Sequence, residues 1–220
     1  MTSLAPAVVF DLDGTLIDSA LDIRRAINLV LAEEGAAPLS PQETVARIGH
    51  GVPHFVTQAR ECRGLPDSRQ ASMLASMLTH YATDPVGLTR IYPLAIETLQ
   101  ALRADGVRIG LCTNKATLPT RAVLDQLGMN GLFDAVVCGD TLATRKPDPA
   151  MLTACFDQLG GRVTLYVGDS EVDAETAQRA GIPFAFFTQG YCHAPIDSLP
   201  HAHVFDHYSQ LAAIIARELA

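Results

Sequence analysis

Short runs of β-branched and apolar residues recur along the chain, each stopping at a polar or turn-forming residue. The first is Ala7–Leu12 (AVVFDL), which ends at Asp-Gly; Val107–Thr113, Ala135–Cys138, Val163–Val167, Phe184–Phe187 and a short His203–Phe205 follow. Such runs, apolar without alternation, predict strands buried on both faces of a sheet. Between them the apolar residues change to helical spacing. Pro93–Ala104 carries Leu94, Ile96, Leu99, Ala101 and Leu102, and Leu118–Leu127 and Pro149–Leu159 are similar. Pro149 suits the first turn of a helix. Asp173–Ala180 ends at Gly181, a residue suited to a C-cap. Strand and helix alternating in this way predict an α/β fold, a Rossmann-like parallel sheet covered by helices on both faces.

The stretch from Ser19 to Arg90 breaks that alternation. It holds helical patterns alone, over Ala20–Glu34, Pro41–Ile48, Pro53–Cys62 and Ser68–Ala82. The gap between the first two sheet strands is far longer than an ordinary crossover. The expected organisation is therefore an α/β core built from residues 1–18 and 91–220, with an all-helical cap subdomain, residues 19–90, inserted after the first strand. The sequence shows neither an internal repeat nor a low-complexity segment.

Composition narrows the function classes. Of 220 residues, 48% are hydrophobic and 18% charged, which is enough to bury a core and excludes a disordered chain. The formal charge of −8 argues against nucleic acid, because phosphate backbones call for clustered Lys and Arg. No apolar window reaches the length of a membrane span. Met1–Ala7 has no basic segment ahead of an apolar stretch, so a cleaved leader is not expected. Cysteines stand at 62, 112, 138, 155 and 192 without a CxxC pair. Cys112 and Cys138 lie in apolar runs and read as small core residues. A reduced, cytoplasmic compartment follows. Monomer and dimer are both open.

Four short segments fall at or after strand ends: Asp11-Leu12-Asp13-Gly14-Thr15, Thr113-Asn114, Lys146-Pro147 and Gly168-Asp169-Ser170. In an open parallel sheet those ends converge on one crevice. Asp11, Asp13, Asp169 and Asp173 would then crowd together, and uncompensated like charges raise one another's pKa. A divalent cation relieves that repulsion, and short-chain oxygen ligands suit Mg²⁺. One carboxylate can attack phosphorus, and a second can protonate the leaving oxygen and later activate water. Lys146 supplies a fixed positive charge. Thr113 and nearby N–H groups can hold phosphoryl oxygens. Singly, each piece has a structural alternative: Asp-x-Asp-Gly can be a turn, Lys-Pro a surface loop, and Gly-Asp a helix cap. Their force is joint, as four pieces in order at strand ends.

At these residues the chain resembles the haloacid dehalogenase superfamily over nearly its whole length. Phe10–Leu16 (FDLDGTL) is similar to the first motif in its phosphatase form, Cys112–Lys115 to the second, Lys146–Pro149 to the third, and Val167–Ser170 with Asp173 to the fourth. The resemblance implies that Asp11 is the nucleophile and a metal ligand. It makes Asp13 the general acid/base, with its carbonyl on the metal. Asp169 completes the ligands and Asp173 lies in or beside the ligand set, while Thr113, Asn114 and Lys146 hold the phosphoryl group. It also implies that the inserted helices close over a small phosphorylated metabolite.

Asp13 favours phosphoryl chemistry over dehalogenation, because a halide leaves without a proton. Residues 19–90 contain no lysine, against a phosphonatase, which needs a Schiff-base lysine there. A hexose phosphomutase or a phosphatase for another small sugar phosphate stays open. Within the hydrolases, Asp18-Ser19, Arg47–Gly51 (RIGHG), Leu88–Pro93 (LTRIYP) and Gly190-Tyr191 resemble most the phosphoglycolate phosphatases, which hydrolyse 2-phosphoglycolate. Arg47, beside a Gly-x-Gly loop, can clamp a carboxylate through paired hydrogen bonds, or it is a solvated residue near a helix end. His50 and His54 lie near the same loop and read as surface residues. His201, His203 and His207 are spaced too loosely for a metal site. Met73 and Met77 read as the apolar face of a helix, and Tyr191 as packing.

Overall fold

Six strands form one parallel sheet in the computed structural model, which describes residues 4–219. The ends of the expected core segment, Met1–Ser3 and Ala220, lie outside the described residues, as does the start of the N-terminal stretch read for a leader. The sheet order is β5 (Ala135–Val137), β4 (Arg108–Cys112), β1 (Pro6–Phe10), β6 (Arg162–Gly168), β7 (Phe184–Phe187) and β8 (His203–Phe205). All neighbouring pairs run parallel. The first strand thus lies between β4 and β6, and later strands are added outward on either side. That is the switch point at which open α/β sheets bind ligands.

Alternate residues of β1 serve the two faces of the sheet, as the period of a strand requires. Val8 and Phe10 join Ile109, Leu111, Leu165 and Val167 under α5 (Ala95–Ala104), α6 (Thr117–Gln126) and α9 (Leu211–Leu219). Ala7 and Val9 join Cys112 and Tyr166 under α7 (Ala150–Leu159) and α8 (Glu171–Ala180). Helix α9 follows a short 3₁₀ turn, Tyr208–Gln210. Its Leu211, Ile214 and Ile215 are spaced three and four apart and are buried on the first of these faces.

Four helices lie between the first strand and the rest of the sheet: α1 (Ala20–Glu33), α2 (Pro41–Val45), α3 (Val52–Cys62) and α4 (Gln70–Thr83). They bury an apolar cluster of their own, with Ile27 and Leu31 from α1, Phe55 and Val56 from α3, and Met73, Met77 and Tyr81 from α4. Helix α2 opens with a Ser40–Glu43 capping box and is shorter than its apolar pattern predicts. The N–H groups of Arg47 and Ile48 turn back to Thr44 and Val45, three residues away, which tightens the last turn ahead of Gly49. The chain enters and leaves this layer through an antiparallel pair, β2 (Ile17–Asp18) with β3 (Arg90–Ile91). Buried Asp22 secures the crossing. Its carboxylate accepts from the N–H groups of Leu88 and Thr89 and from Thr89 Oγ1, and it pairs with Arg25 at 2.8 Å.

Candidate active site

Directly after β1, the carbonyl of Leu12 accepts the N–H groups of Thr15, Leu16 and Ile17. This tight turn sends Asp11 and Asp13 to the C-terminal edge of the sheet. Gly14 sits in the turn at φ +89°, and a Cβ there would overlap the Asp169 carboxylate and the Tyr191 ring. Both the backbone conformation and the space therefore require glycine. Asp169, following β6, accepts from Thr15 Oγ1 and from the N–H of Tyr191, each at 2.7 Å. Asp13 accepts from Ser19 Oγ at 2.5 Å and takes both its oxygens to Lys115 Nζ at 3.0 Å.

Behind Asp11 lies a buried ion cluster. Lys146 Nζ is 2.9 Å from Asp11 Oδ1 and 2.7 Å from Asp173 Oδ1, and it donates to Tyr166 Oη at 2.9 Å. Asp173 has no uncommitted oxygen. Oδ1 also accepts from Tyr166 Oη at 2.6 Å, and Oδ2 accepts from Ser170 Oγ and from the N–H groups of Asp169 and Ser170. The Ser170 contact doubles as the N-terminal capping box of α8. Burial works against every charge here, and the partners decide the outcome. Burial pushes the Asp11 carboxyl up to about 7 against the pull of Lys146, with Asp173 adding to the rise. Burial and the neighbouring Asp173 and Asp11 drive Asp169 well above the carboxylate range. For Asp173, burial is outweighed by Lys146, Ser170 and Tyr166, and its carboxyl lies below the usual value. Burial likewise lowers Lys146, but Asp11 and Asp173 outweigh it and hold the ammonium charged.

Oxygens of Asp11, Asp169 and Asp173 lie within 4.8 Å of one another. Asp11 Oδ1, although near Lys146, is buried without a hydrogen-bond partner. Two neighbouring buried carboxylates of raised pKa, Asp11 and Asp169, fit a bound cation, which would stabilise both ionised forms. The saturated Asp173 suits a place behind the ion, holding Lys146 and the α8 turn rather than the cation itself.

The other expected residues divide. Thr113 is buried at the end of β4 and lines the same cavity as Asp11 and Asp13. Asn114 reaches the same place, but its amide is committed. Nδ2 donates to the carbonyls of Gly49 and Lys146, and Oδ1 accepts the Lys146 N–H at 3.0 Å, so Asn114 ties the third motif and the α2–α3 loop to β4. Arg47 is not brought into the site: Nη1 donates to the Glu43 carbonyl of its own helix at 2.6 Å, and the residue does not line the cavity. The His50 and His54 rings lie 5.0 Å apart, tilted to one another, outside the lining. His203 pairs with Glu218 and His207 with Ser209. Tyr191 does more than pack. Its hydroxyl accepts from the N–H groups of Ser19 and Ala20 and donates to Asp18, so one residue joins Asp169 to the start of α1.

Lys115 is the residue that motif reading passed over. It is 6% exposed, bonded to both oxygens of Asp13, and lies 4.7 Å from the centroid of the Tyr81 ring of α4. The available signal was a lysine directly after Thr-Asn at the buried end of a strand, where a charge needs a partner.

Comparison with known proteins agrees with this geometry. The family model for haloacid dehalogenase-like hydrolases matches residues 5–181. A phosphoglycolate phosphatase of Cereibacter sphaeroides is 50% identical over 217 residues, 98% of this chain and all of that one. One from Rhodobacter capsulatus is 41% identical, covering 96% and 97%. The crystal structure of a predicted phosphoglycolate phosphatase from Haemophilus somnus superposes with a TM-score of 0.91 at 27% identity, covering 97% of this chain and 99% of that one. With four ordered motifs gathered at one sheet edge and relatives matched end to end, the chain belongs to the haloacid dehalogenase-like hydrolase family and is one of its phosphatases.

Proposed function

We propose that the chain hydrolyses 2-phosphoglycolate to glycolate and phosphate, with Mg²⁺ as its cofactor. The observation that carries the reading is the meeting of Asp11, Asp169 and Lys146 at one buried point, opening onto a cavity that also holds Asp13. The full-length relatives named above are phosphoglycolate phosphatases, which favours this substrate over a larger sugar phosphate.

Asp11 attacks phosphorus, forming an aspartyl phosphate as the bond to the leaving oxygen breaks. Asp13 gives its proton to that oxygen and glycolate departs; Asp13 then takes a proton from water, whose oxygen attacks phosphorus and frees phosphate and Asp11. Asp11 and Asp169, with the Asp13 carbonyl, would hold Mg²⁺, which when bound supplies positive charge to the phosphoryl oxygens. Lys146 contributes a second, permanent positive charge, oriented by Asp173 and Tyr166, and Thr113 lies at the phosphoryl position. Asn114 acts on the phosphoryl group through Lys146, whose backbone it fixes. Residues 19–90 act as a cap over the core, covering the cavity with Ile23, Phe55 and Tyr81 and excluding water during the transfer.

The test is phosphate release from a panel of phosphorylated small acids and sugars, scored by kcat/KM, with and without EDTA. The highest value on 2-phosphoglycolate, lost with EDTA and restored by Mg²⁺, is expected. A sugar phosphate turned over with higher kcat/KM replaces the substrate, and release indifferent to EDTA removes the cofactor.

A further inference from the structure

A phosphorylated carboxylic acid brings two anions into this cavity, and the site described above accounts for one. Arg47, a candidate cation for the second, is turned onto the Glu43 carbonyl of α2. Among the described residues lining the cavity, the charged side chains are Asp11, Asp13 and Lys115. The single positive group is therefore Lys115.

Two features give Lys115 capacity for a ligand. Its ammonium has three donors, and the two hydrogen bonds to Asp13 leave one uncommitted. Next to it, the Tyr81 hydroxyl is buried, lines the cavity and has no hydrogen-bond partner, although buried phenols usually find one. The lysine comes from the sheet edge and the tyrosine from helix α4, and the ammonium lies against the tyrosine ring, so both polar groups sit together on the cavity wall. A carboxylate has the acceptors to satisfy both.

We propose that Lys115 and Tyr81 form the subsite for the carboxylate of the leaving group, and so set the preference for an anionic over a neutral alcohol. The proposal rests on the phosphoglycolate reading above. Because Lys115 also holds Asp13, the acid that protonates the leaving oxygen, the subsite places that oxygen beside its proton donor. A substrate carboxylate bridging sheet edge and helix would also draw the cap onto the core.

The test compares 2-phosphoglycolate with 2-hydroxyethyl phosphate, in which a neutral CH₂OH replaces the carboxylate. The readout is the ratio of their kcat/KM values in wild type, Lys115→Met and Tyr81→Phe. Loss of Lys115 slows both esters through Asp13, and that common factor cancels in the ratio. The ratio is expected to fall on the order of 100-fold in Lys115→Met, the scale of a lost charge-assisted hydrogen bond. In Tyr81→Phe, which keeps the ring and removes one oxygen, it falls several-fold, as for a neutral hydrogen bond. A ratio in both variants within about threefold of wild type, less than a neutral bond contributes, overturns the subsite and leaves the function reading standing. A wild type that already treats the two esters alike overturns both.

Discussion

Asp173→Asn tests whether the charge on Lys146 is aimed by its neighbours or merely located by its backbone. All five contacts to the Asp173 carboxylate are donors: Lys146 Nζ and Tyr166 Oη on one oxygen, Ser170 Oγ and two N–H groups on the other. An amide must present its NH₂ to one of those sets. Facing Lys146, it exchanges an ion pair at 2.7 Å for a repulsive contact; facing Ser170, it forfeits the helix cap. The loss of a charge-assisted bond and a neutral one comes to about 3 kcal/mol. Against this, removing a negative charge relieves Asp11 and Asp169, both raised in part by Asp173. With Mg²⁺ bound, that repulsion is already offset, so the loss dominates. A chain of this length should melt about 6–12 °C lower in Mg²⁺. kcat/KM should fall roughly 10- to 100-fold, the range for a group that orients a ligand shell. Thermal unfolding by circular dichroism and phosphate release across a Mg²⁺ titration provide the measurements. An unchanged melting temperature and rate would refute the anchoring argument. Full recovery of kcat at high Mg²⁺ would instead make Asp173 a direct metal ligand.

The metal-free protein should lose stability as pH rises from about 4 through about 7. Asp11, raised from 3.8 to about 7, and Asp169, raised well above the carboxylate range, bind more protons folded than unfolded, and this contribution is lost as pH climbs through the folded value. Thermal melts across that range, with EDTA and with Mg²⁺, check the slope, which Mg²⁺ should flatten. Gly14→Ala should fold but lose at least about 100-fold in kcat, because a methyl at φ +89° costs about 1–2 kcal/mol in backbone strain and displaces Asp169; wild-type turnover would show that the turn yields freely. Asp13→Asn, given p-nitrophenyl phosphate, should release about one equivalent of nitrophenol and then stall, since this leaving group departs without a proton while water still needs a base. Asp11→Asn should show no such burst in stopped-flow absorbance. Asp22→Ala should lower stability by about 3–5 kcal/mol in urea titration, the scale of breaking a buried ion pair, by stranding the donors of Leu88 and Thr89.

Much of the sheet was legible because each strand is buried on both faces and therefore reads as a continuous apolar run. Phe184–Phe187 was expected and found with the same ends. The pair β2–β3 is two residues long on each side, too short for any periodicity. The site was legible in its residue types and not in its bonding. Local sequence places Asn114 at a strand end, but whether its amide meets a phosphoryl oxygen or the backbone of Lys146 depends on a loop 32 residues away. Arg47 was drawn toward the cavity by a Gly-x-Gly loop, yet a carbonyl four residues back lies within reach of its guanidinium. Lys115 stood inside a quoted motif without a role, because its partners, Asp13 and Tyr81, come from distant parts of the chain.

Asp11 and Asp13 stand two residues apart in sequence, and the fold gives them opposite surroundings. Asp11 lies between Lys146, paired to its Oδ1 at 2.9 Å, and the carboxylate cluster with Asp169 and Asp173. Asp13 is at the cavity, partly exposed, with a hydroxyl and a separate lysine on its oxygens. Two carboxylates in different environments can take different roles in one reaction. Asp11 is suited to attack, since it stands in the carboxylate cluster beside Lys146, where the positive charge that holds the phosphoryl oxygens is gathered. Asp13 is suited to exchange protons, since it stands outside the carboxylate cluster with its oxygens on a hydroxyl and an ammonium. The Leu12 turn accomplishes the division by placing successive aspartates on either side of one peptide corner, and Gly14 permits the corner. Any substitution that flattens the turn should therefore impair attack and proton transfer together, which a change at Lys146 or Lys115 alone would not do.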